Sequence, residues 1–136
     1  QKRSLNLPCG NGKTSFIDVK DVAKIVAIVL KDDSYISKHI TITNTNSFTF
    51  KQAIEKLNSS CNLSIQFKPI SLLSFFIQQL KEKKPLMFSI VMTAIYTNIR
   101  IGKANIIRED ATKILKRDLI TLEQFGTEHC ALLSGE

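Results

Sequence analysis

The sequence predicts an α/β fold that turns mainly helical after residue 70. Two observations carry this expectation. Residues 14–17, 39–43 and 64–69 read as short strands separated by amphipathic helices, and from residue 71 onward the apolar spacing is helical throughout. The 136 residues are long enough for one domain with a real core. They read as a single segment, 1–136, with an α/β part at 1–70 and a mainly helical part at 71–136.

Residues 1–13 are polar, carry Pro8, Gly10 and Gly12, and read as a loop. A strand at 14–17 feeds a helix at 19–31. Asp18 is placed to cap it, accepting from a first-turn N–H, and Asp21 adds negative charge at the positive end of the dipole. Val22, Ile25, Val26 and Val29 form a stripe flanked by Ala23, Ala27 and Leu30, wide enough to predict cover over much of this helix. Residues 39–43 alternate, with Ile40 and Ile42 on one face and Thr41 and Thr43 on the other, a strand pattern. The polar cluster at 44–47 is a turn.

Thr49 and Gln52 fit a capping box, opening a helix striped by Phe50, Ala53, Ile54 and Leu57 and closed at 58–62. The strand at 64–69 ends on Pro69, which cannot donate to a ladder and predicts an edge. Ser71 caps a helix with Leu73, Phe76, Ile77 and Leu80 on one stripe, and Pro85 suits the first turn of the next. That helix, reaching about Ile99, has two apolar faces: Met87, Ile90, Val91 and Ala94 on one, Phe88, Met92, Ile95 and Ile99 on the other. Two such faces predict packing on both sides, as in a core helix; a second subunit, a ligand or another part of the protein is the other reading. A short helix at 108–116 and a capping box at Thr121 and Gln124 follow, and the tail at 131–136 is expected to fray.

The composition is that of an ordinary globular protein, 43% hydrophobic and 23% charged. The net charge of +7 is scattered, its one dense run being Lys81, Lys83 and Lys84, and no tract interleaves aromatic with basic residues, so nucleic acid is not the expected partner. The apolar runs at 22–30 and 86–101 fall short of a membrane span, and residues 1–7 lack a signal-peptide core. The chain opens on Gln1, which predicts a processed, truncated or engineered start. Cys9, Cys61 and Cys130 are odd in number and far apart, arguing against a disulfide framework and for a reducing, cytoplasmic setting. His39 and His129 have no ligand-spaced companions, so no metal site is expected. Asp18 and Asp21 read as caps rather than an acid/base pair, and no catalytic residue is identified.

One stretch resembles a known family. Gly10-Asn11-Gly12-Lys13-Thr14-Ser15-Phe16-Ile17-Asp18-Val19-Lys20-Asp21-Val22-Ala23 is similar to the late strand-and-helix segment of atypical short-chain dehydrogenase/reductases, above all the NmrA-like group of NAD(P)-binding oxidoreductases and redox-sensing regulators. Ile40 to Thr43, the turn and helix start at Ser47 to Gln52, the strand ending near Pro69, the run of helices, the short helix around Asp110 and the final Thr121 to Phe125 follow in matching order, so the likeness spans nearly all of 5–129. The glycine-rich turn that opens complete members has no counterpart, since Gly10 and Gly12 precede a strand rather than a helix. Tyr35 and Tyr96 lack the lysine of the family's catalytic pairing.

The resemblance implies the C-terminal portion of a Rossmann-like sheet, about three short strands, followed by a small helical substrate domain. NAD(P) would be held mainly by residues absent from this chain, with no cofactor-binding residue here. The implied partners are a small-molecule substrate and a missing N-terminal Rossmann half or a second subunit. Lys13 would lie near the mouth of the substrate cleft, as a substrate contact or a solvated lysine, and Phe88 and Met92 would line that cleft or be core. The implied reaction is hydride transfer from NAD(P)H to a small quinone or carbonyl acceptor, with this segment alone not catalytic. The alternatives are a non-catalytic nucleotide-sensing regulator and a helical interaction or dimerisation module.

Overall fold

A computed structural model describes residues 3–134. Among them four short strands form two small sheets, followed by a run of helices. Strand β1 (Ser4–Leu7) pairs in parallel with β4 (Gln66–Pro69), Leu5 opposite Phe67. The expected loop at 1–13 is therefore corrected to a strand over these four residues; residues 1 and 2 lie outside the described ones. The two paired strands lie far apart in sequence, Ser4 opposite Gln66, and four residues ending just before Pro8 carry too brief an alternation to announce the strand. Strand β2 (Lys13–Thr14) pairs antiparallel with β3 (Phe48–Thr49). The expected strand at 14–17 shrinks to this two-residue ladder, because Ser15 leaves it to exchange bonds with Asn44: the Asn44 N–H donates to Ser15 Oγ at 2.7 Å.

Helix α1 (Val19–Val29) starts where Asp18 Oδ1 accepts from the Lys20 N–H at 2.7 Å. Its inner face carries Ile25, which meets Ala111 and Ile114 of α5 (Asp110–Leu115) and Leu119, with Ile17, Val29, Tyr35, Ile40 and Ile42 around them. The outer face is bare: Val19 is 75% exposed and Leu30 80%, so the broad cover expected from the stripe is not supplied by this chain. Asp21 is fully buried. Its Oδ2 accepts from the Ile120 N–H at 2.7 Å, and its Oδ1 pairs with the Arg117 guanidinium. Its task is to fasten α1 to the turn after α5, beyond the dipole contribution the sequence suggested.

The segment at 39–43 keeps the predicted alternation, with Ile40 and Ile42 against the core, but it is not a strand. Its polar groups bond elsewhere: the Thr41 N–H donates to Asp110 Oδ2 at 3.2 Å, and the Arg108 N–H donates to Thr43 Oγ1 at 2.8 Å.

Helices α2 (Phe50–Cys61) and α6 (Leu122–Glu128) both open on complete capping boxes, Thr49 with Gln52 and Thr121 with Gln124. They pack closely at Gly126, where an added Cβ would collide with Ser60 Oγ. This approach brings Cys61 to Cys130, the first residue of α7 (Cys130–Ser134), and the two form a disulfide with Cα atoms 5.3 Å apart. The pairing overturns the expectation of unpaired cysteines and removes their argument for a reducing compartment. Nothing in their spacing signals it, since helix packing alone joins them. The tail expected to fray is helical to Ser134; residues 135 and 136 lie outside the described ones.

Helices α3 (Leu72–Lys81) and α4 (Leu86–Arg100) pack as a hairpin beside β1. Ser71 caps α3, accepting from the Ser74 N–H at 3.0 Å. The inward residue of α3 is Phe75; the expected stripe points largely outward, with Leu73 69% exposed. Likewise α4 is not the core helix its two faces predicted: Ser89 and Ile99 are buried, while Met87, Ile90 and Val91 are exposed. Among the described residues no helix is long and apolar enough to cross a membrane.

Candidate functional site

The helix α4 carries Phe88, Met92 and Tyr96 at intervals of four, which places them on one face. Phe75 of α3 meets Tyr96 edge to face, with centroids 5.1 Å apart. Between these helices and β1 lies an open cavity of about 330 Å³. Its apolar lining is Leu5, Leu7, Phe75, Phe88, Met92 and Tyr96, and its polar lining includes Asn6, Gln78, Gln79 and Glu82. An aromatic wall with a few amides at its edge suits a small planar ligand held by stacking and one or two hydrogen bonds.

Tyr96 is the polar atom bearer of the aromatic wall. It continues the edge-to-face chain through Phe50, 6.4 Å away, to Phe16. Burial raises its phenol above the usual range, and the neighbouring Cys9 thiol acts in the same direction. The hydroxyl is therefore protonated at neutral pH and able to donate. Cys9 is fully buried, and burial raises its thiol too, which makes it a poor nucleophile.

The structure brings together two of the three residues singled out from the sequence. Phe88 and Met92 line the same cavity, and Lys13 does not. Lys13 sits exposed on β2, opposite Thr49. The adjoining Gly12 lies against the far end of α4, where a Cβ would overlap the Ile99 carbonyl. Eleven residues of helix separate Ile99 from Phe88, roughly 16 Å at the usual rise. Phe75 and Tyr96 were missed as wall residues. The spacing of Phe88, Met92 and Tyr96 could have supplied Tyr96; nothing local distinguishes Phe75 from Phe76.

The region around Gly10 and Gly12 is a turn, closed by the Gly12 N–H on the Cys9 carbonyl at 3.0 Å, and Gly10 has φ +55°. It leads into β2, not into a helix. The helix N-terminus nearby, that of α1, is already occupied by the Asp18 carboxylate. A pyrophosphate would meet negative charge at that helix end. Among the described residues no three His, Cys, Asp or Glu side chains converge as a metal site.

Three solved structures place this arrangement among known folds. The Citrobacter sp. triphenylmethane reductase complexed with NADP(H) matches 93% of this chain over 44% of its own, with TM-score 0.79 and 19% identity. A Staphylococcus aureus nucleoside-diphosphate-sugar epimerase matches 91% over 43% of its own, with TM-score 0.78 and 22% identity. The Escherichia coli NADPH-dependent quinone oxidoreductase matches 92% over 46% of its own, with TM-score 0.76 and 14% identity. No protein-family model and no curated protein matches the chain. The chain thus spans less than half the length of these structures. At such identities the likeness is one of fold: over its span this chain has the α/β fold of part of these reductases and of the epimerase.

Proposed function

We propose that the chain is the substrate-side portion of an NAD(P)-dependent oxidoreductase acting on a small quinone or carbonyl acceptor. The observation that carries this reading is the cavity between β1, α3 and α4, walled by Phe75, Phe88, Met92 and Tyr96, in a fold matched by less than half of each reductase. The nicotinamide cofactor, which supplies the hydride chemistry, would be held mainly by residues outside this chain, a reading supported by the Gly10–Gly12 turn leading into β2 rather than into a helix. The chain's own residues would stack the acceptor on Phe88 and Met92, orient its oxygen by the Tyr96 hydroxyl, and exclude water. Lys13, at the other end of α4, would act only from a distance, as an attraction for an anionic acceptor. Its distance from the wall makes it the weakest of the three candidates.

The test is steady-state oxidation of NAD(P)H by a panel of quinones and carbonyl compounds, using the polypeptide that carries this chain. The reading expects turnover, with Phe88→Ala raising KM about tenfold, close to 1.4 kcal/mol of lost contact. Nucleotide binding without turnover would support a regulator instead. A helical interaction module is the further reading, favoured by the exposed Met87, Ile90 and Val91 on α4. A stable dimer that binds no nucleotide would support it.

A further inference from the structure

We propose that Cys61 and Cys130 are a reversible thiol–disulfide pair that sets whether the C-terminal helix α7 is fastened to α2. The inference stands on the geometry around α7 and is independent of the proposed function. Three observations support it.

The pair is placed for exchange. Cys61 ends α2 and Cys130 begins α7; both are half-buried, within reach of a small reagent, whereas Cys9 is fully buried. The surroundings also suit either redox state. The Gly126 carbonyl lies 2.8 Å from Cys61 Sγ and 3.1 Å from Cys130 Sγ. On reduction the two sulfurs must part, and this carbonyl, with two lone pairs, is the nearby acceptor that either S–H can turn to. Finally, α7 has little else to hold it. It is five residues long and buries none of them. Its other described tie to a distant segment is the Arg3 guanidinium, which donates to the Leu133 carbonyl at 2.6 Å. A helix this short is not stable by itself.

The chemistry balances with a low-molecular-weight disulfide as oxidant. A thiolate of one cysteine attacks a sulfur of oxidised glutathione, expelling one glutathione thiolate and leaving a mixed disulfide. The second cysteine loses its proton and attacks the protein-bound sulfur, expelling the second glutathione. The protein pair gives up two electrons and two protons, and the small disulfide takes them up as two thiols. Excess reduced glutathione drives the same steps backwards.

The experiment equilibrates the full chain in excess oxidised or excess reduced glutathione. Native-state alkylation by a maleimide counts accessible thiols, and amide hydrogen exchange follows α7. The oxidised protein should alkylate at neither Cys61 nor Cys130, and the reduced protein at both. Exchange across α7 should rise about tenfold or more on reduction, as local opening loses its tether. Cys130→Ser should show the fast rate in both buffers, while exchange in α1 stays unchanged. Thiols that persist in excess oxidised glutathione would overturn the proposal, as would α7 exchange that is equal in both states of the wild-type protein.

Discussion

The α2–α6 pair and the α3–α4 hairpin are both two-helix packings, yet they are finished to different degrees. The first has capping boxes on both helices, an ion pair between Lys56 and Glu123, a glycine contact and a disulfide at one end. Ala53 and Ile54 are buried beneath it. The second is the longer and more apolar, but Leu73, Leu86, Met87, Ile90 and Val91 are all exposed. The difference teaches that local sequence signals built the finished pair, whereas the hairpin carries apolar surface that this chain does not cover. Exposed patches of that kind mark ligand or partner surfaces. One face of the hairpin borders the aromatic cavity, whereas a second, more apolar cavity of about 350 Å³ lies at the finished pair, lined by Phe16, Leu57, Leu122 and Phe125 without the amide rim of the first.

Four substitutions probe this contrast. The largest effect is expected outside the hairpin, from Asp21→Ala, which cuts the tie between α1 and the turn leading into α6. It leaves Arg117 without its buried partner and the Ile120 N–H without an acceptor, at a cost of about 3–5 kcal/mol in chemical denaturation. Next comes Gly126→Ala, whose methyl group must push α6 away from Ser60 of α2, costing about 1–3 kcal/mol.

Smaller still is Lys56→Met. The hydrogen bond from Lys56 is the main cause that holds the Glu123 carboxyl below its usual value of 4.5. A lowered folded-state value means the contribution is fully present above that value and is lost as pH falls through the folded one. Both side chains are over a third exposed or close to it, at 34% and 47%, so the loss at pH 7 should be under about 1 kcal/mol. Unfolding measured against pH should show the variant and the wild type converging below 4.5. The smallest effect belongs to the unfinished side: Ile90→Gln should change the stability of this chain by less than about 0.5 kcal/mol, since about half of the residue faces solvent at 47% exposure. A cost above 2 kcal/mol would show that the hairpin is already covered and would erase the contrast.

What could be read from the sequence divides along the same line. The caps at Asp18, Thr49, Ser71 and Thr121 were legible because a cap and the N–H that donates to it lie within three residues. Phe88 and Met92 were legible as neighbours because helical spacing fixes a shared face. The strand β1 was not, because its partner β4 is far along the chain. The strand pattern at 39–43 was real as burial and wrong as a ladder, since alternation reports which face is covered and says nothing of who supplies the hydrogen bonds. The ties of Asp21 to Arg117 and of Cys61 to Cys130 were hidden for the same reason: tertiary packing, not spacing, brings each pair together. Lys13 was placed by resemblance alone, and the structure sets it at the opposite end of α4 from Phe88.

A ligand-binding wall on the α3–α4 side would show itself when a water-soluble quinone is titrated into the isotopically labelled chain and each residue's NMR signal is followed. The expected result is saturable shifts at Phe75, Phe88, Met92 and Tyr96, lost in Phe88→Ala, with α2 and α6 unmoved. Shifts confined to the apolar cavity near Phe16, Leu57 and Phe125, or no saturable shift at all, would contradict it.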